Sequence, residues 1–400
     1  MQETFAALRV RHFRILWIGT LFAFLAFFMS TVVQSVVAFR LTGSNSAVGF
    51  VVFAQGAAMC LLGPFGGAMA DRLSKRRVIA SCQLLTTVVF FGLASVMASG
   101  AIHVAWLAIG SMLMGVTFAF LGPTRQAFVV ELVPDALRGN AVALSGVANN
   151  ASRTVGPALA GVMLAWAASG ATGAYLVMGA LYAVSLLTVL ALPHSPPRSN
   201  AADTHVLEDI LVGLRYVRDH RRLRLLVLLF MLVIMLGFPH VTLLPGLVEN
   251  ALGRRAESVS LLFSLSAVAA LVTSLVVARK ADSASGVTIF SALGLGFGIS
   301  LAMLAFAPSF EMAILAMLVL GASSGGFQAL GMAVVMRATE PELAGRVMAL
   351  TMRAFGGFGL VGLPVGFLGD AFGERATLAG MSAVVCVVVL WLRFALARTG

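Results

Sequence analysis

The stretch 63–77, GPFGGAMADRLSKRR, closes a long apolar run with an acid and a cluster of cations. Asp71 and Arg72 adjoin, and Lys75, Arg76 and Arg77 follow. Gly67, four residues before Asp71, leaves one face of a helix end bare, so a neighbouring helix can come close. A carboxylate there can accept from the free N–H groups at that neighbour's N-terminus, where the helix dipole favours negative charge. The basic residues alone would also suit an anchor on an anionic membrane face, at about 1 kcal/mol each. That reading explains the Arg and Lys and leaves Gly67 and Asp71 unexplained. Taken together the residues read as a latch that closes one end of a bundle and breaks to open it. A second set lies at 149–161: Asn149 and Arg153 one helical turn apart, then Gly156-Pro157 and Gly161. Pro157 removes a backbone donor and permits a kink. Gly156 and Gly161 admit a close partner helix. The glycine-rich stretch holding Gly356, Gly357, Gly359, Gly362 and Gly366 is the expected partner.

Few other polar side chains interrupt the apolar runs. Gln34, His240 and Gln328, with Asn149, Arg153 and Arg353 from neighbouring runs, are the candidates for lining a substrate cavity, since such groups are costly in a membrane. Each has a structural alternative. A Gln can bond between helices for about 0.6 kcal/mol. His240 can bond a carbonyl freed by Pro239, and the two arginines can snorkel. No Asp or Glu sits in the middle of a run, so the candidates for proton coupling are Glu131, Glu249, Asp370 and His240. Arginines without a central acid suit an anionic or zwitterionic substrate. Catalytic chemistry has no residues here: there is no His/Cys/acid cluster, no nucleophile beside a base, and no phosphate-loop lysine. No enzyme activity, cofactor, metal or ATP-driven step is expected. Cys60, Cys82 and Cys386 lie in apolar runs without metal or disulfide spacing.

The elements that must position these residues follow from composition. The chain is 60% hydrophobic and 11% charged, with mean hydropathy +0.99, against about a quarter charged in soluble domains. It reads as a polytopic, all-α membrane protein. Apolar segments long enough to span lie near 13–39, 46–70, 77–98, 103–124, 141–166, 173–192, 224–248, 258–278, 287–307, 311–336, 346–369 and 376–396. The first follows a basic start, is too long for a signal-peptide core and has no A-x-A site after it, so it reads as a retained span. The longest break, 193–223, begins Pro/Ser/Asn-rich and ends as a basic amphipathic helix. It separates an N-terminal six-helix bundle, 1–192, from a C-terminal one, 224–400. With both termini cytoplasmic, only Arg40, Arg254, Arg255 and Arg375 fall on the outer side, and only Arg153 and Arg353 lie within spans away from their ends. The excess of cations on inner segments selects that orientation. It also accounts for the net charge of +11 without nucleic acid. The halves repeat: RGNAVAL at 138–144 lies over AGRVMAL at 344–350, which brings Gly156 onto Gly362, and Asp71 falls near Asp282.

The segment 67–77, GAMADRLSKRR, resembles the signature loop of the major facilitator superfamily, with Ser74 where the family usually has Gly. ARKADSASG at 278–286 is a degenerate second copy that keeps Asp282. The resemblance implies two six-helix bundles in parallel repeat, alternating access, and gate roles for Gly67, Asp71, Arg72, Arg76 and Asp282. Gly156, Pro157 and Gly161 resemble the antiporter motif of drug-exporting facilitators, with Ala143 and Ser152 where that motif has Gly. The segment 122–144, GPTRQAFVVELVPDALRGNAVAL, resembles the enterobactin-exporter and macrolide-efflux group through Arg125, Glu131 and Pro134. With span four ending at 124, no Arg lies inside it, so the Arg of other drug–proton antiporters is missing. The implied function is secondary export of small amphipathic molecules (drug, macrolide or siderophore-like), with proton antiport through Glu131 or His240. The implied setting is the inner (plasma) membrane, as a monomer among lipid. An importer or facilitator of a small organic solute or lysolipid is the alternative on the same fold. A membrane sensor without transport is a third class.

Overall fold

The computed structural model describes residues 5–166, 170–193, 206–278, 285–340 and 342–398, with backbone alone at 64, 67–72, 206–210 and 278. The described chain is almost wholly helical: α1 (Arg11–Thr42), α2 (Asn45–Arg72), α3 (Lys75–Ala98), α4 (Val104–Leu132), α5 (Arg138–Ala165), α6 (Gly170–Leu190), α7 (Val206–Asp219), α8 (Arg221–Gly237), a single turn α9 (Leu244–Gly246), α10 (Val259–Ala278), α11 (Gly286–Ala305), α12 (Phe310–Arg337), α13 (Ala344–Phe372) and α14 (Glu374–Ala397). Among the described residues, eleven helices are long and apolar enough to cross a membrane. In that setting every backbone N–H and C=O must be satisfied within the segment, which a helix does. The 28-residue α5 has the length as well, but Arg138, Asn140, Asn149, Asn150 and Arg153 make it more polar.

Breaks in the helices follow local chemistry. Gly43 turns the chain at φ 66° and Gly373 at φ 83°, conformations that only glycine adopts cheaply. Between α8 and α10 the chain passes through a 3₁₀ segment, Phe238–Thr242, then α9, then a π segment, Leu247–Ala251. Pro239 and Pro245 lie in this stretch, and each removes a backbone donor. The span expected at 224–248 is therefore a helix followed by irregular turns.

One boundary changes the chemistry. The sequence places the end of span four at 124, whereas α4 continues to Leu132. Apolar residues Phe128 and Val129 are buried on its inward face, so the hydrophobic stripe runs past Arg125 and carries it inside. Arg125 is 7% exposed, and Lys75, the first residue of α3, is 1% exposed. Neither is the loop cation that the sequence suggests.

The chain forms two compact units, one from Met1–Val37 with Ala57–Thr204, the other from Ala38–Gly56 with His205–Gly400. The end of α1 and the start of α2 thus belong to the second unit. Within the first, α3 packs on α4 and α6; within the second, α11 packs on α12 and α14. In the first, Gly66 of α2 meets the Ala119 carbonyl of α4. In the second, Gly321 and Gly325 of α12 meet Ser266 and Ala270 of α10. The repeat legible in the sequence is therefore also a repeat of helix contacts.

The glycine face of α13 receives the first half of α2, which belongs to the same unit. A Cβ at Gly359 would lie 2.6 Å from the Gly56 Cα, and one at Gly366 would lie 2.7 Å from the Ser46 Cα. Gly359→Ala should therefore destabilise the protein by about 1–3 kcal/mol, as overpacking does. Gly63→Ala, where an added Cβ meets nothing within 4 Å, should be neutral or stabilising by up to about 1 kcal/mol. Thermal unfolding in detergent reads both, and equal melting temperatures for the two variants would refute the packing account.

Candidate functional site

In the first unit, α1 and α5 form one continuous contact. Trp17 Nε1 donates to the Leu144 carbonyl at 2.8 Å, and Ser152 Oγ donates to the Leu21 carbonyl at 3.1 Å. One turn on, a Cβ at Gly156 would lie 2.8 Å from Phe28 Cβ and 3.0 Å from the Leu25 carbonyl oxygen. Small residues at 152 and 156 let the two backbones approach, and Pro157 is buried beside them. The motif at 152–161 is thus an α1–α5 packing face. Arg153 and Asn149 sit on α5 at positions one turn apart and are half-buried, so both can address one ligand group.

The charges of this unit differ in their partners. Lys75 Nζ lies 2.7 Å from Glu131 Oε1, joining the first turn of α3 to the last of α4. Arg125 stacks over the Phe24 ring, its Cζ 5.2 Å from the centroid, a cation–π contact. Its Nε and Nη2 are buried and have no hydrogen-bond partner among the described residues. No ion pair forms at Arg125, Arg153 or Arg353 among the described residues. Gln34 is buried and bonded to α4: Ser111 Oγ donates to its Oε1, and its Nε2 lies 3.3 Å from Met114 Sδ. Arg76, in the same latch loop as Lys75, donates to the Leu190 carbonyl. Asp282 lies outside the described residues, as do the side chains at Gly67, Asp71 and Arg72.

In the second unit, His240 is buried, with Nδ1 2.8 Å from the Gly237 carbonyl and its ring edge-on to Phe297. Gln328 bonds back to the Ser324 carbonyl at 3.2 Å. Arg353 is half-buried on α13. A denser polar cluster gathers where α2 begins. Asp370 accepts from the backbone N–H of Asn45 at 2.6 Å and of Ser46 at 3.0 Å, and from Ser44 Oγ at 2.6 Å. This is the capping of a neighbouring helix N-terminus that the sequence suggests for Asp71, made here by a different acid. Glu374 Oε1 accepts from Asn45 Nδ2 at 3.0 Å and Asn250 Nδ2 at 2.8 Å. Arg40 pairs with Glu257, to which Arg255 also reaches at 3.1 Å. Glu374, Asn45 and Asn250 were not singled out by sequence reasoning. A signal existed: Ser44-Asn45-Ser46 before an apolar run is a helix-start pattern, and Asp370 and Glu374 stand four residues apart.

Comparison with known proteins now decides the family. The model described as Major Facilitator Superfamily matches residues 16–362. The chain belongs to the major facilitator superfamily. This facilitator is 24% identical to the staphyloferrin A transporter of Staphylococcus aureus (strain NCTC 8325 / PS 47), over 88% of this chain and 89% of that protein. It is 21% identical to macrolide efflux protein A of Streptococcus pyogenes, over 90% and 91%. Among solved structures it resembles the nucleoside transporter NupG, with TM-score 0.78, 15% identity and coverage of 96% and 99%. It also resembles the human organic anion transporter MFSD10, with TM-score 0.67, 18% identity and coverage of 98% and 99%. These structures share the fold. The chain is accordingly a multi-pass membrane protein of a transporter family.

Two outcomes follow from the first unit of this facilitator. Glu131→Gln strands the buried Lys75 and should cost about 3–5 kcal/mol, much of it restored in Lys75→Met/Glu131→Leu. Unchanged melting of the single variant would sink that account. Gly156→Leu drives a side chain into the α1 backbone, so it should lower the melting temperature and the folded yield. A stable but inactive Gly156→Leu protein would contradict the α1–α5 contact.

Proposed function

We propose that this facilitator exports small amphipathic molecules of anionic or zwitterionic character by alternating access, in exchange for protons. One observation carries the reading: Arg125, Arg153 and Arg353 stand in helices of a membrane protein without a carboxylate partner among the described residues. An arginine stays charged at any working pH, and a charge at membrane depth is costly unless paired. An anionic group brought by the substrate meets that need. Arg153 supplies a planar fork and Asn149 an amide on the same helix face. The relative named for macrolide efflux supports export over import. Gln34, His240 and Gln328 complete the proposed substrate contacts. Gly67, Asp71, Arg72 and Arg76, with Asp282, are the proposed gate, and Glu131 or His240 the coupling group. The proposed setting is the plasma membrane, both termini cytoplasmic, as a monomer.

The test is transport by Arg153 and Arg353 variants in inverted and right-side-out vesicles, with and without a pH gradient. Arg→Lys should keep partial activity, because Lys keeps the charge and loses the fork. Arg→Gln should lose most of it, in inverted vesicles energised by a gradient. Normal transport by both Arg→Gln variants, or a preference for multivalent cations, would overturn the anionic-substrate reading. Uptake only in right-side-out vesicles would overturn export.

A further inference from the structure

The cluster at the start of α2 contains a hydrogen-bonding mismatch. Asn45 is 2% exposed and Glu374 8% exposed. Asn45 Nδ2 donates to Glu374 Oε1, and Asn250 Nδ2 donates to the same oxygen. The other end of the Asn45 amide, Oδ1, is buried and receives no donor among the described residues. Gly246 lies against both Glu374 Oε1 and Asn45 Oδ1, so no side chain fills the space where the two groups converge. A cavity of about 480 Å³ adjoins them, lined also by Gly43, Ser44, Asn250 and Asp370.

An ionised carboxylate only accepts, so it cannot satisfy that amide oxygen. A protonated carboxyl carries one O–H donor beside an accepting oxygen. Opposite a primary amide it closes a ring of two hydrogen bonds: N–H to the carbonyl oxygen, O–H to the amide oxygen. We propose that Glu374 is a proton-binding site. With Ala38–Gly56 seated on the second unit, Glu374 is the neutral acid. It donates through Oε2 to Asn45 Oδ1 and accepts through Oε1 from Asn45 and Asn250. The proton comes from solvent through the adjoining cavity and returns there when Asn45 withdraws. No covalent bond other than O–H is made or broken.

Asp370 plays the opposite part. It is exposed and accepts from three donors, so it is satisfied as the carboxylate. One acid charged and its neighbour one turn on neutral also removes the repulsion that two carboxylates would suffer. The other charges near the cluster are engaged elsewhere. Arg40 and Arg255 pair with Glu257. Arg375 donates to the carbonyls of Ala305 and Ala251, and Arg254 lies 3.7 Å from Glu311. Glu249 lines the neighbouring cavity with Arg40. None forms an ion pair with Asp370 or Glu374 among the described residues. A proton that binds the seated state favours that state by linkage. Acid on this side therefore holds Ala38–Gly56 in place. The effect needs no substrate and no proton crossing, so it stands or falls apart from the export reading.

The experiment uses the full chain in proteoliposomes, with Cys60, Cys82 and Cys386 replaced by Ser. Val48, on α2, is fully buried, so Val48→Cys reports release of the segment to a membrane-impermeant maleimide. Leu41→Cys, at an exposed position, corrects for the reagent's own pH dependence. The corrected rate at Val48→Cys should fall roughly three- to tenfold from neutral to mildly acid medium, the worth of about one hydrogen bond. Glu374→Gln supplies a permanent N–H donor, so its rate should be slow and independent of pH. Asn45→Ala should be fast and independent of pH. Should Glu374→Gln fail to fold, the sign in the Val48→Cys protein alone still decides. Faster labelling in acid would mean that Glu374 holds the segment as a carboxylate, and the proposal fails. Control of the rate by sodium rather than pH would overturn it as well, making the cluster a cation site.

Discussion

A polar group surrounded by hydrocarbon has to find its partner inside the protein, and that constraint organises both units. Hydroxyls bend back to the preceding turn, as Thr20 does to the Leu16 carbonyl and Thr351 to the Val347 carbonyl. Buried side chains that cannot do so reach across to a neighbouring helix: Trp17 to Leu144, Gln83 to Ser185, Ser382 to Gly298. Because lipid is as apolar as the helices, burial of leucine does little to hold helices together here. Close backbone approach and these few polar links must do it instead. Hence the glycines sit where helices cross, at Gly56 against Gly359 and at Gly66 against Ala119.

The same constraint makes the few incompletely satisfied groups informative. Lys75 has Glu131, so the pair reads as a structural tie between α3 and α4. Arg125 stacks on the face of Phe24, and two of its nitrogens have no hydrogen-bond partner among the described residues. Asn45 has a donor placed and an acceptor idle. On the readings proposed above, something else binds at each of these idle groups. For the arginines the natural candidate is an anion; for Asn45 and Glu374 it is a proton. The irregular stretch 238–251 shows the converse. Pro239 and Pro245 remove donors there, and His240 Nδ1 lies 2.8 Å from the Gly237 carbonyl, so the buried ring already has a partner within its own turn.

Much of the architecture was legible in the amino-acid sequence, and for a plain reason. Span length, the duplicated segments at 138–144 and 344–350, and membership of the major facilitator superfamily depend on residues close together in the chain. The helix periodicity of small residues also showed which faces of α5 and α13 would be packed. It could not name the neighbour. The sequence offers the glycine-rich stretch 356–366 as the partner of Gly156 and Gly161 because both faces are bare. In the structure Gly156 lies against α1, and Gly362 lies against Val52 of α2.

The sequence by itself determined that this is a helical membrane transporter, because hydropathy and motif spacing are local properties and the bilayer admits few alternatives. Which polar side chains meet was decided only by the tertiary structure. Asp370 and Asn45 are separated by 325 positions in the chain, Glu374 and Asn45 by 329. A hydrogen bond depends on ångström distances between donors and acceptors, which no spacing along one helix contains. Arg125 makes the same point at shorter range. Its residue type was plain in the sequence, but its burial followed from where α4 ends, and that was set by the apolar neighbours packed around Phe128 and Val129.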